Sequence, residues 1–111
     1  ALKQCNNDGN TPATLAAKNG HIETLTLIIA AAPNVLLIAN KNGDKPAMLA
    51  AKNGHIVALK LLIETKPETL MQVNSFGETP AILAAKSEQT AALKYMIETN
   101  PRVLEQDDED Y

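Results

Sequence analysis

The sequence predicts an all-α solenoid, in which antiparallel helix pairs stack side by side and are joined by projecting turns. Three observations predict it. The 111 residues repeat with a period of 34: Gly9/Gly43/Gly77, Pro12/Pro46/Pro80 and Pro33/Pro67/Pro101 keep that spacing, and twelve of 34 columns are identical across copies 1–34, 35–68 and 69–102. Helix start and stop signals recur at the same offsets in each copy. Finally, 45% of the chain is apolar but only 3% aromatic. Its core must therefore be built from Leu, Ile and Ala, which suits closely approaching helices better than a sheet sandwich.

The elements of one copy follow in order. Thr11-Pro12 and Thr79-Pro80 set a capping hydroxyl before a proline at the first helical position, where its missing N–H is not needed. Lys45 stands where the middle copy should have that threonine, so its helix start is expected to be weaker by up to about 1 kcal/mol. The short alanine-rich helix that follows ends at Asn19-Gly20 or Asn53-Gly54, because glycine takes the left-handed conformation that closes a helix. Ser87-Glu88 replaces this pair in the third copy, which predicts a looser or different closure. A second helix is expected over Ile22–Ala31, Ile56–Thr65 and Thr90–Thr99. Leu25, Leu27, Ile28 and Ile29 give it a broad apolar face. Each run stops at the next proline, since the residue before proline avoids the helical region. A connecting loop with Leu36, Leu70 or Leu104 and a glycine-bearing turn lead into the next copy. One pair cannot bury its apolar face alone; stacking makes the core continuous.

These residues carry a family resemblance. Gly9 to His21, Gly-Asn-Thr-Pro-Ala-Thr-Leu-Ala-Ala-Lys-Asn-Gly-His, resembles the ankyrin repeat's G-x-T-P-L-H-L-A-A-x-x-G-H signature, and Gly43 to His55 and Gly77 to Gln89 are weaker matches. Phased on that family, one domain over 1–111 holds repeats at about 8–41, 42–75 and 76–109, and is expected to be a piece of a longer array or protein. The family's Leu-His after Thr-Pro is here Ala13-Thr14, Ala47-Met48 and Ala81-Ile82. That removes the histidine expected to tie neighbouring turns together. The extra residue of the 34-residue period falls after the second helix, at Pro33-Asn34-Val35-Leu36 and Pro67-Glu68-Thr69-Leu70, where an additional tight turn is expected. Thr14 and Thr24, in columns filled later by Met48/Ile82 and Ala58/Ala92, suggest a more polar amino-terminal face.

Composition narrows the function. The net charge is −3, but five of thirteen acids lie at Glu105 and Asp107–Asp110, leaving eight acids against ten bases ahead of them. Such a balance, with few aromatics to stack on bases, disfavours nucleic acid. No apolar run approaches the roughly 20 residues of a membrane span. The single cysteine, Cys5, excludes an internal disulfide and makes a reducing, intracellular setting the default, cytoplasmic or nuclear. Ankyrin arrays also occur in proteins that bacteria deliver into hosts. No constellation for catalysis survives: His21 and His55 stand one repeat apart, roughly 10 Å by helix-packing distances, which is too far to share a metal. Glycines 20 and 54 stop helices and form no phosphate loop. The acidic end lacks the glycine and spacing of a calcium loop. No enzyme, cofactor or metal is expected.

Recognition remains, and the resemblance implies its face: the turn tips and the exposed flank of the first helix. Carried over column by column, the first copy contributes Asn7, Asp8, Asn10, Lys18 and Asn19. The second contributes Lys41, Asn42, Asp44, Lys52 and Asn53, and the third Ser75, Phe76, Glu78, Lys86 and Ser87. Phe76 is the only phenylalanine, at an expected turn tip, and Lys18, Lys52 and Lys86 form a row suited to an acidic stripe on a partner. The expected function is a monomeric, non-catalytic module that binds a protein or peptide. Alternatives are a targeting segment of a larger protein, such as a bacterial effector or a eukaryotic regulator, and an engineered repeat scaffold.

Overall fold

A computed structural model of the chain describes residues 9–105. Cys5, Asn7 and Asp8, and the acidic run from Asp107, lie outside the described residues. Among the described residues there are six α-helices and no strand. The first helices of the units are α1 (Pro12–Asn19), α3 (Pro46–Lys52) and α5 (Pro80–Lys86); the second are α2 (Ile22–Ala31), α4 (Ile56–Thr65) and α6 (Thr90–Thr99). The turn expected from the extra residue is a 3-10 segment, at Pro33–Leu37, Pro67–Met71 and Pro101–Glu105.

The first helices start as their residues dictate. The Thr11 hydroxyl oxygen accepts from the Thr14 N–H at 3.2 Å, and Thr79 accepts from Ile82 at 3.2 Å, each satisfying one orphan donor of the first turn. A lysine ammonium has no lone pair and cannot do this at position 45. The Lys45 N–H instead reaches the Met48 sulfur at 3.4 Å, a weak acceptor, and α3 still begins at Pro46 because the proline presets its backbone.

The closures correct an expectation. In α1 the His21 N–H returns to Ala16 O at 2.9 Å, in α3 the His55 N–H to Ala50 O at 2.9 Å, and in α5 the Gln89 N–H to Ala84 O at 2.8 Å. Helix α5 closes as α1 and α3 do, although no glycine follows it. Glu88 takes the left-handed conformation itself, at φ 57°, a strained state for a side-chain-bearing residue. The hydrogen bonds of the closure outweigh that local strain.

Stacking follows from the small residues. The first helices pack in a row, α3 between α1 and α5, with Ala13, Ala17, Ala47, Ala50, Ala51 and Ala84 fully buried at the contacts. The second helices contribute Leu25, Ile28, Leu59, Leu62, Ile63 and Met96, each such burial stabilising by about 1.5–3 kcal/mol. The 3-10 segments bury Val35, Leu36, Thr69, Leu70 and Val103, and the first two lie against the first helix of the next unit. The stack measures 37 × 25 × 21 Å. Thr14 departs from expectation: it is fully buried, its hydroxyl donating to Thr11 O at 3.0 Å, so of the two threonines only Thr24 adds polarity to an exposed surface.

Candidate partner-binding surface

The turns between units are organised by two asparagines one repeat apart. The Asn40 side-chain oxygen accepts from the N–H groups of Asn42 and Asp44, both at 3.0 Å. Asn74 does the same for Phe76 and Glu78, both at 2.9 Å. Each amide nitrogen then reaches the preceding unit: Asn40 Nδ2 donates to Asn10 Oδ1 at 3.1 Å, and Asn74 Nδ2 to Asp44 Oδ1 at 2.9 Å. Asn74 also donates to Glu78 at 3.0 Å. The Ser75 N–H donates to Asn42 O at 3.0 Å across the same boundary. These bonds do the tying that the missing family histidine was expected to do.

This ladder forces close approach of backbones. Gly43 sits at φ +78°, and a Cβ there would lie 2.4 Å from the Ser75 backbone nitrogen. A glycine is therefore required twice over, by conformation and by space. Gly54 is pressed in the same way by a side chain, with Gln89 Oε1 at 2.3 Å from the position a Cβ would take.

The ladder corrects the exposure expected for three residues. Asn10, Asp44 and Glu78, expected at the exposed face, are 5%, 5% and 8% exposed. They are held down because their side chains face the asparagine amides. Glu78 also pairs with the Lys86 ammonium. Burial acts to raise the Glu78 pKa, but the hydrogen bonds from Asn74 and Lys86 and the charges of Lys86 and Lys52 prevail, holding it below the usual carboxylate value.

The remaining residues stay at the surface. Lys18, Asn19, Lys41, Asn42, Lys52, Asn53, Ser75 and Lys86 are exposed and Ser87 is half-buried. Phe76 is 58% exposed at the tip of its turn and does not fold back into the core. A polar groove of about 280 Å³ between the first two units brings together Lys18, Lys41, Asn42, Lys52 and Asn53 over half-buried Asn40 and buried Asn10, Asp44 and Leu49. The Asn53 amide bridges its wall by donating to Lys18 O at 3.3 Å. Asn19, Ser75, Phe76, Glu78, Lys86 and Ser87 do not line this groove. Sequence reasoning missed Asn40 and Leu49 as lining residues. The identity of Asn6, Asn40 and Asn74 in three copies was the available signal for the first.

Other chemistry finds no support among the described residues. No three His, Cys, Asp or Glu side chains gather to hold a metal ion, and no helix is long and apolar enough to cross a membrane. The His55 ring lies over Gly20, whose added Cβ would meet Nδ1 at 2.6 Å, which makes it a packing residue between units.

Comparison with known families decides the identity of the fold. A family model described as ankyrin repeats in three copies matches residues 33–107, and one for a single ankyrin repeat matches residues 8–41. The chain belongs to the ankyrin-repeat family. Ankyrin repeats are generally protein–protein interaction modules and typically non-catalytic. No curated protein matches this chain significantly in sequence. In ankyrin terms, the groove lies on the side formed by turns and first helices, and α2, α4 and α6 form the other layer.

Proposed function

We propose that this chain is a non-catalytic ankyrin module that binds a partner protein or peptide along its turns and first helices, as a monomer inside the cell. The observation that carries the reading is the groove between the first two units. It joins flank residues of two first helices to the turn of the second unit, and its exposed side chains are polar. Phe76 supplies an aromatic anchor at the third turn, the kind of residue that dominates binding energy when a partner covers it. The lone Cys5 supports the intracellular setting.

The test is panning of the purified chain against a displayed library of twelve-residue peptides, repeated with the Lys52→Glu/Phe76→Ala double variant. Recovered peptides should bind the double variant at least about tenfold more weakly, with a thermal midpoint only slightly lowered, because both side chains are exposed and Lys52 acts on Glu78 only through its charge. Equal binding to both forms would refute the surface.

A further inference from the structure

The groove differs from its counterpart one unit along by two charges, since Asn10 and Lys41 stand where the counterpart has Asp44 and Ser75. Asn10, Asp44 and Glu78 occupy equivalent positions, and Lys18, Lys52 and Lys86 another set. In the third unit the carboxylate and the lysine meet, Glu78 with Lys86. The first unit has the neutral Asn10 in place of the acid, and among the described residues no carboxylate stands within ion-pair distance of Lys18. Lys41 and Lys52 line the same groove, and Asp44 is its one acidic lining residue. Three positive charges against one leave a local excess of two, in a chain whose overall charge is −3.

We propose that this groove receives the carboxylate of an acidic, extended peptide segment of a partner protein, which makes with Lys18 the ion pair that Glu78 and Lys86 make within the third unit. The proposal rests on the binding face described above. The size fits: about 280 Å³ is below the usual small-molecule site and suits one or two inserted side chains. The charge fits too: Asp44 is buried and accepts from Asn74, whereas Lys18, Lys41 and Lys52 are exposed. The third unit offers no equivalent, since its lysine is neutralised.

The experiment uses the peptides recovered by panning the 111-residue chain, and forms of them with Asp→Asn and Glu→Gln. Recovered peptides should be enriched in Asp and Glu, and neutralising the key acid should weaken binding about fivefold, as should Lys18→Gln. Both losses should shrink at 1 M salt, where the screening length falls to about 3 Å. Lys94→Gln, an exposed lysine of α6 in the other layer, should leave affinity unchanged. Asn10→Glu, which puts the third unit's acid into the first, should erase the preference for acidic peptides. Its thermal midpoint reports whether it folds, and Lys18→Gln tests the same pair if it does not. Peptides that bind the groove with no acid preference, or that lose nothing on Lys18→Gln, would overturn this inference while leaving the binding face intact. Recovery of no peptide at all would overturn the binding face and this inference with it.

Discussion

Replacing Gly43 by alanine perturbs the tightest point between two units. The backbone there is left-handed at φ +78°, and the new methyl would sit 2.4 Å from the Ser75 nitrogen and 3.1 Å from the Asn74 carbonyl carbon. Backbone atoms cannot swing aside as a side-chain end can, so the third turn must lift off the second. Lifting it breaks the Ser75–Asn42 bond at 3.0 Å and loosens the Asn74–Asp44 bond at 2.9 Å. The left-handed conformation costs an alanine about 1–2 kcal/mol, reduced by about 0.5–1 kcal/mol because glycine loses more entropy on folding. Each lost hydrogen bond adds about 1 kcal/mol. The expected loss is about 2–3 kcal/mol, which for a domain this size lowers the midpoint by about 8–20 °C. Urea unfolding followed by circular dichroism measures it. A loss below about 1 kcal/mol would show that the turns are not held together as described.

Three further outcomes follow from the same geometry. Glu88→Gly should stabilise by about 0.5–1 kcal/mol in urea titration, because it relieves the left-handed strain at φ 57° and keeps the closure. Leu59→Ala should cost about 2–5 kcal/mol by the same titration, since Leu59 is fully buried in α4 between neighbouring units. Glu78 makes a pH-dependent contribution: its folded pKa is depressed, so its stabilisation is present above the ordinary carboxylate range and is lost as pH falls through the folded value. Glu78→Gln should flatten the limb of a midpoint-against-pH curve on the acid side of the ordinary carboxylate range, and an unchanged limb would remove the Glu78–Lys86 pair from the account.

The helices were legible because their signals are local. Pro12 and Gly20 frame the first helix within nine residues, and the leucine-isoleucine face running up to Pro33 marks the second, so the observed second helices begin and end as expected. The binding face was legible only as a set of columns. Asn10, Asp44 and Glu78 read as turn-tip contacts because their depth depends on an asparagine thirty residues further on, or, for Glu78, on one four residues back. A column of identical residues marks a constraint without saying which neighbour imposes it. Glu88 failed for the opposite reason: propensity argued against a left-handed glutamate, and the hydrogen bonds to Ala84 and Ala85 overrode propensity. Lys45 offers no side-chain cap, and α3 still starts at Pro46 because the proline presets its backbone.

The row of first helices, with α3 flanked on both sides, has a mechanical consequence. Each unit grips only its neighbours, so tension applied to the two chain ends passes through the interfaces in series. The weaker junction would give way before the stronger, and an optical trap would record discrete lengthening steps instead of a single rip. A chain so arranged is a stepwise extensible link as well as a surface.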